Sequence, residues 1–504
     1  MKYTTQFLHR IKGTIISGLF CMIGLLGLTG LTLTSCNPHG YNEITELSFS
    51  SDTLLFDTVF TTTSSATKNF TVTNTSSEPV KLDILLAGGN QSYYSINVDG
   101  VAGTEFHDVE IAPHDSIFVF VKVTINPTNQ NTPYLVTDSV IFRNKQRQQS
   151  VQLVAFGQDA HFIVPDHLTS SMHYKIVAHE HENVHWTNDK PWVIYGWAVV
   201  DSLGKLTIDP GTRVYVHSGG GIWVYRYGNI HVNGTVDQPV YFSGDRLDSF
   251  FGSDYAQWDR IWINEGSENN IINNAVISNA AIGLQVSALT EYLPNKTIVT
   301  NTIIHNTKNI GVLGQAANIE MTNCQISNNG EYSMALQVGD YKLTHLTVAN
   351  YYSQSSRQNP AVILSNYYQT TEVNEAGEYE NVYMVGETNL DCFNSIICGY
   401  NRNEFAVAKT TGADLQYKFN NCLIYRDTMN SNHYVNCFNK DPKFVSASQQ
   451  DYNLLEESPA INAGMTGLGV STDLLGRMRN GIPDIGAFEY YPAPADKRRL
   501  AIKH

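Results

Sequence analysis

The chain has 504 residues, a formal net charge of −15 at pH 7 and only 16% charged residues. An acidic chain without a basic stripe is a poor partner for nucleic acid. Beyond the first 36 residues no apolar run is long enough to span a bilayer. The length leaves room for two or three domains, and 28 Tyr and 21 Phe suit a chain rich in β structure.

The first 36 residues read as an address rather than as fold. Lys2, His9, Arg10 and Lys12 form a basic start, Ile15 to Leu33 is apolar and Gly-rich, and Leu33-Thr34-Ser35-Cys36 closes the stretch. This ending resembles the lipobox of bacterial lipoproteins. The resemblance implies cleavage before Cys36 and acylation of its thiol and its new amino terminus. The alternative is an ordinary secretory signal with an accidental cysteine. A lipid on Cys36 makes the membrane a partner, since each buried CH2 of an acyl chain contributes about 0.8 kcal/mol. Asn37, not Asp, follows the cysteine. In a Gram-negative cell that favours the outer membrane, with the periplasmic face and the cell surface both open. Residues 37–45 form a linker.

Residues 46–158 read as a separate β-sandwich. Alternating strands are predicted at Asp52–Phe60, Lys68–Asn74, Val80–Leu86, Ser116–Ile125, Asp138–Arg143 and Ser150–Ala155, with polar turns between them. This order resembles the immunoglobulin-like domains of sperm-tail and cilia-associated modules, which implies a spacing or binding role.

Between Ala160 and Trp186 the chain is rich in His, and His181-Glu182-Asn183-Val184-His185 has the HExxH form of zinc metalloproteases. That chemistry needs a helix, which sets both imidazoles on one face. Asn183 and Val184 are poor helix residues, Lys175–Ala178 is strand-like, and Trp186–Pro191 is a turn. The stretch is therefore expected to be a strand and loop closing the first coil, with solvated histidines. No metal site and no cofactor is expected.

Residues 159–450 carry the organising feature of the chain. A segment of the form Asn, small residue, any residue, Ile or Val starts at Asn274, Asn301, Asn323, His345, Asn394 and Asn421. Its second slot holds Ala275, Thr302, Cys324, Leu346, Ser395 and Cys422, and its fourth Ile277, Ile304, Ile326, Val348, Ile397 and Ile424. The starts are 27, 22, 22, 49 and 27 residues apart, a solenoid period with two turns and an insertion in the long interval. The second and fourth slots share one side of a strand. Stacking like residues one strand spacing apart, roughly 4.8 Å, gives a parallel β-helix. A further column is expected from Ile282 and Leu284, Ile310 and Val312, Met334 and Leu336, and Phe405 and Val407. The asparagines are expected to bond from coil to coil as an amide ladder. Cys324 and Cys422 occupy the small inward slot, where Cys acts as an apolar residue. They are read with Cys392, Cys398 and Cys437 as free thiols in preference to a disulfide or metal set.

Leu206–Val216, Gly220–Val224, Gly228–Thr235 and Gln238–Phe242 are short strands closed by Gly or Pro corners. Together with the repeat, they resemble right-handed parallel β-helix proteins of pectate-lyase-like architecture. More narrowly, the chain resembles β-helix lipoproteins of Bacteroidota. The fold class is therefore all-β: a right-handed parallel β-helix preceded by a small immunoglobulin-like sandwich.

Two features project from the solenoid. One is the stretch from Ser243 to Trp262, where Asp245, Arg246, Asp259 and Arg260 are the first catalytic candidates and Trp258 and Trp262 offer rings for sugar stacking. Its plain reading is a corner loop pinned by Asp–Arg pairs. The other is the insertion from Asn366 to Gly386, where Tyr367 and Tyr368, with Glu375 and Glu378, form a binding arm or a solvated hairpin.

Ser458–Gly464, Asp473–Arg479 and Pro483–Tyr490 are similar to the closing segment of many bacterial β-helix proteins. Residues 451–492 are expected to cap the open end, with their apolar side chains plugging its core and Asp473, Arg477 and Asp484 pairing structurally. Residues 493–504 are a tail.

The resemblance implies either of two functions. One is an envelope lipoprotein whose solenoid surface binds glycan or protein without catalysis. The other is a polysaccharide lyase or glycosidase working on an acidic polysaccharide in the same groove. The Asn-Thr-Asp, Asp-Asp, Gly-His-Gly and Arg-Ile-Lys phrases of polygalacturonases are absent from the mature chain, as is the Arg-x-Pro-x-x-Arg phrase of pectate lyases.

Overall fold

The computed structural model describes residues 47–492, apart from 62–63, 129–132, 146, 171, 248–254, 289–294, 355 and 374–378. The signal peptide, the linker, Cys36, Glu375, Glu378 and the tail after 492 lie outside the described residues. The described elements are strands and two 3-10 turns. The chain divides into two compact units.

The first unit is built on two five-stranded sheets. In one, Ser116–Val123 pairs antiparallel with Lys68–Asn74 on one side and Tyr94–Val98 on the other. In the other, Val80–Leu86 pairs antiparallel with Glu105–Ile111 and Tyr134–Arg143. Alternation drives the packing: Ile117, Val119, Val121 and Val123 are buried while Ser116, Phe118, Phe120 and Lys122 are exposed. The sheets meet through Phe142, whose ring lies 5.0 Å from Phe49 and 6.1 Å from Phe70. The pattern missed Leu47–Phe49, Tyr94–Val98, Val101–Gly103 and Glu105–Ile111. Glu105–Ile111 buries only its last residue, so it carries no apolar period to detect.

The second unit is a parallel β-helix with three ladders. The first runs through Trp197–Val200, Gly221–Val224, Ile261–Asn264 and Ile282–Ser287. The second runs through Lys205–Ile208, Asn229–Asn233, Asn270–Asn273 and Lys296–Thr300. The third is a ten-stranded sheet from His161–Ile163 to Leu423–Ile424. All six fourth-slot residues of the repeat align there: Ile277 with Ile304, Ile304 with Ile326, then Val348, Ile397 and Ile424. Each is buried to 1% exposure or less.

The first ladder stacks Ile222, Ile261, Leu284, Val312, Met334, Val362 and Phe405 in the interior. Ile282 and Ile310 align with Tyr332 instead. The predicted column is thus offset by one pair at those two rungs.

The repeat asparagines do more at the backbone than at the side chain. Asn274, Asn301, Asn323, His345, Asn394 and Asn421 all have φ between 48 and 55°. Asn tolerates this left-handed conformation better than most residues, and it turns the second ladder into the third. A second set of left-handed corners, Asn279, Asn306 and Asn328, turns the third ladder into the first. The amide ladder is partial: Asn323 donates to Asn301 at 3.2 Å, and Asn394 to His345 at 3.0 Å. Asn274 and Asn301 donate to Asn273 Oδ1 instead, and Asn323 and Asn394 also bond to the C-terminal segment.

That segment is a lateral strap, not the plug expected for the open end. Ile303, Ile396 and Leu423 alternate with the interior residues of the third ladder, so they face outward. Ala460, Leu474, Leu475, Ile485 and Phe488 cover them. Asn323, Asn394 and Asn421 donate to the carbonyls of Thr472, Met465 and Ala463 at 2.7, 2.9 and 2.9 Å. The strap's own charges are internal. Arg477 holds Asp473, and the buried Arg479 holds Glu489 at 3.0 Å. Asp484 accepts the backbone N–H groups of Asn462 and Tyr490, so it does not need an arginine partner.

Among the described residues the cysteines are free, with Cys324, Cys392, Cys398 and Cys422 buried and Cys437 part-buried. Burial pushes the Cys324 thiol up to about 12, which removes its reactivity.

His345 stands where five other rungs carry Asn, and burial, with Arg479 nearby, drives its pKa from the usual 6.5 down to about 3. Between those values the unfolded chain binds a proton that the folded chain refuses, so stability drops as pH falls through the window, by roughly 1.4 kcal/mol per unit. His345→Asn restores the corner residue of the neighbouring rungs. Urea midpoints measured from pH 7 to pH 4 should fall less steeply for this variant than for the parent chain. Parallel slopes would show that His345 does not govern the acid limb.

Candidate functional site

The HExxH stretch is not a metal site. Asn183–Trp186 is a strand paired with Lys205–Ile208, and His181 sits in a left-handed turn. Both histidines are exposed. A strand sends residues four apart along its length rather than around one helical face. Among the described residues, no group of three His, Cys, Asp or Glu side chains is placed to hold a metal ion.

The outer face of the first ladder is where aromatic and polar side chains converge. Its strands bury Ile222, Val224, Ile261, Ile263, Leu284 and Val286 inward, so the residues between them point out. One outward column runs Trp223, Trp262, Gln285, Leu313 and Ala335, one residue per rung. The next runs Asn264, Ser287, Gln315, Gln337 and Ser365. The two columns cross-link. Trp262 donates its indole N–H to Ser287 Oγ at 2.8 Å, and Gln285 donates to the same oxygen at 3.2 Å. Trp223 donates to Asn264, and Gln315 to Gln337 at 3.0 Å.

The rings of Trp223 and Trp262 stack at 5.2 Å with 13° between planes. Their faces cover each other, and both residues are half-buried. Tyr225 stands edge-on to Trp223 at 5.2 Å, and Trp197 tilts against Trp262 at 6.3 Å. Arg260 flanks the strip. Its Nε reaches Asp259 at 2.7 Å and its Nη1 bonds to Gln285. On the other flank Arg226 pairs with the buried Glu265 at 2.6 Å.

The anticipated residues divide on inspection. Trp262, Asp259 and Arg260 belong to the strip. Trp258 does not: it is 1% exposed, packs in the solenoid core and donates its indole N–H to Ser278 O at 2.8 Å. It fills a corner of the coil, so no sugar can reach its ring. Asp245 faces His217 on the adjacent rung at 2.7 Å, and Arg246 stands just before residues 248–254, which lie outside the described residues. Tyr368 is 5% exposed and roots the insertion against Ala316 and Val338. Above it, Tyr367–Val373 and Tyr379–Val385 form an antiparallel hairpin in which the Tyr367 and Tyr383 rings touch edge-on at 6.0 Å. Sequence reasoning passed over Trp223, Gln285 and the polar column. The available signal was the repeat of Ile-Trp-aliphatic in Ile222–Val224 and Ile261–Ile263.

The strap holds a cavity of about 270 Å³ lined by His345, Met465, Leu468 and Arg479, among others. Arg479 spends its donors on Thr472, Glu489, Asn323 and Gly486. It therefore has nothing to offer a ligand there.

Residues 194–351 match the family described as a right handed beta helix region. No curated protein matches the chain. Similar solved structures include a family 123 glycoside hydrolase from Clostridium perfringens that hydrolyses glycolipid glycans, at 8% identity and TM-score 0.17. That alignment covers 24% of this chain and 30% of the hydrolase. Another is a protein of unknown function from Porphyromonas gingivalis, at 13% identity and TM-score 0.17, covering 28% of this chain and 58% of that one. A third is the catalytic domain of a family 87 α-1,3-glucanase in complex with tetrasaccharides, at 10% identity and TM-score 0.19, covering 71% and 81%. At these scores the likeness carries no argument about activity.

Trp258 and Trp262 are four residues apart and should answer to truncation differently. Trp258→Ala empties a core site and should cost about 3–5 kcal/mol in urea unfolding. Trp262→Ala should cost less, roughly 1–3 kcal/mol, because it strips one partner from Ser287 at a part-exposed site. Equal losses would contradict the inward and outward assignment.

Proposed function

We propose that the outer face of the first ladder binds a glycan chain lying along the solenoid axis, and that the protein does this at the cell envelope without cleaving the chain. The observation that carries the reading is the half-buried strip of Trp223, Trp262, Gln315 and Gln337, held in register by the buried Asn264, Gln285 and Ser287. The rungs rise by roughly 4.8 Å each, close to the length that one sugar adds to an extended polysaccharide. Along the strip a chain would meet two indoles and then two amides, which suit the C–H groups and the hydroxyls of successive sugars. Catalysis would need a free acid and a free base; Asp259 is tied to Arg260 and Asp245 to His217.

Calorimetric titration of the chain with a polysaccharide panel tests this. A ligand is expected, and Trp262→Ala should weaken it by about tenfold, the worth of one aromatic contact. Tyr367→Ala, on the hairpin, should leave the affinity unchanged. Failure of every polysaccharide to bind would remove the proposal.

The second reading is cleavage in the same groove, favoured by Asp259 and Arg260 standing beside Trp262. Unsaturated-product absorbance and reducing-end release separate the two. Turnover that disappears in Arg260→Ala would replace binding with catalysis.

The envelope part of the proposal rests on the Leu33-Thr34-Ser35-Cys36 ending. Labelling cells with a palmitate analogue should mark the full chain and not Cys36→Ser. A labelled Cys36→Ser chain would exclude Cys36 as the anchor.

A further inference from the structure

The strip is electrically closed, and this bears on what it can hold. Arg260 faces Asp259 at 2.7 Å, and Arg226 faces Glu265 at 2.6 Å. Glu265 is fully buried. The half-buried groups between these pairs, Trp223, Trp262, Gln315 and Gln337, are uncharged, as is the buried Gln285. Resting on the glycan-binding reading above, we propose that the ligand is a neutral polysaccharide, a chain of hexoses without carboxylate or sulfate.

The chemistry of the strip points that way from both sides. A carboxamide offers both a donor and an acceptor, as a sugar hydroxyl does, so amides and hydroxyls pair in either sense. A uronate carboxylate only accepts, and it needs a cation or several donors to replace its water. The two cations of the strip are already committed. Taking Arg226 would leave buried Glu265 without its partner, a costly state. Taking Arg260 would strip Asp259 and disturb Gln285, to which Arg260 also donates. At longer range the chain's net charge of −15 repels polyanions.

The test compares neutral glucans and mannans with polygalacturonate and alginate on the full chain, at about 20 mM and about 200 mM NaCl. Neutral chains should bind with affinity that changes less than about twofold between the two salts. The uronates should bind at least tenfold more weakly. Asp259→Asn leaves Arg260 uncancelled, and it should raise uronate affinity severalfold at low salt and lose that gain at high salt. Trp262→Ala should weaken neutral binding in both. A parent chain that prefers uronates, with steep salt dependence, would overturn the neutral-ligand inference while leaving the glycan-binding reading intact. A chain that binds neither class would overturn the reading itself. Neutral binding untouched by Trp262→Ala would place the ligand elsewhere and overturn both.

Discussion

The structure depends on one constraint: each coil must end where it can begin again one strand spacing higher. Parallel strands then stack in register, and every interior column repeats its residue type. The constraint is met at the corners. Asn at φ near +50° lets the chain turn from the second ladder into the third without a glycine's entropy cost. Ile277, Ile304, Ile326, Val348, Ile397 and Ile424 can only meet if those corners recur. Helix packing tolerates sliding, but a slip of one residue here would turn a whole column from core to solvent.

Two surfaces follow from that geometry. On the third ladder the outward positions are apolar at Ile303, Ile396 and Leu423, and a bare apolar stripe of this length is a liability. The C-terminal strap covers it, and its buried ion pairs fix its own turns rather than a reaction. On the first ladder the outward positions carry indoles, amides and hydroxyls. Trp223, Trp262, Gln315 and Gln337 stay half-buried there, while Asn264, Gln285 and Ser287 are buried and cross-link the columns. One side of the solenoid is thus covered by the strap, and the other keeps two indoles and two amides partly exposed.

The interior columns were legible because each rung repeats a strong local signal, a β-branched residue two places after a small one. The outer strip was harder to see. Its members come from different rungs and change type from Trp to Gln to Leu along one column, so no periodicity marks them. The two misplaced aromatics have a common cause. Trp258 follows a long corner loop and Tyr368 opens a long hairpin, and both neighbourhoods are polar. Each ring nevertheless anchors its insertion to the solenoid, Trp258 by filling the core beside Ser278 and Tyr368 by packing on Ala316 and Val338. The closing segment was legible as a unit, but its place was not. Its apolar residues match an open solenoid end and an uncovered side stripe equally well.

Taken alone, the amino-acid order determined that coils would form and which fourth-slot residues would face inward, but not the length of every coil: the 49-residue interval expected to hold two turns is a single coil, with Thr347–Asn350 paired directly with Ile396–Gly399. The inward pattern is written in short-range alternation and in the interval between corners. The tertiary structure alone decided which outward residues become neighbours, that Arg260 and Arg226 are already neutralised, and that residues 460–490 lie along the flank. Those outcomes depend on contacts between rungs 22 to 49 residues apart and on a strap 42 to 149 residues from its seat. No local pattern carries information over that distance; only the stacking of the coils brings such residues together.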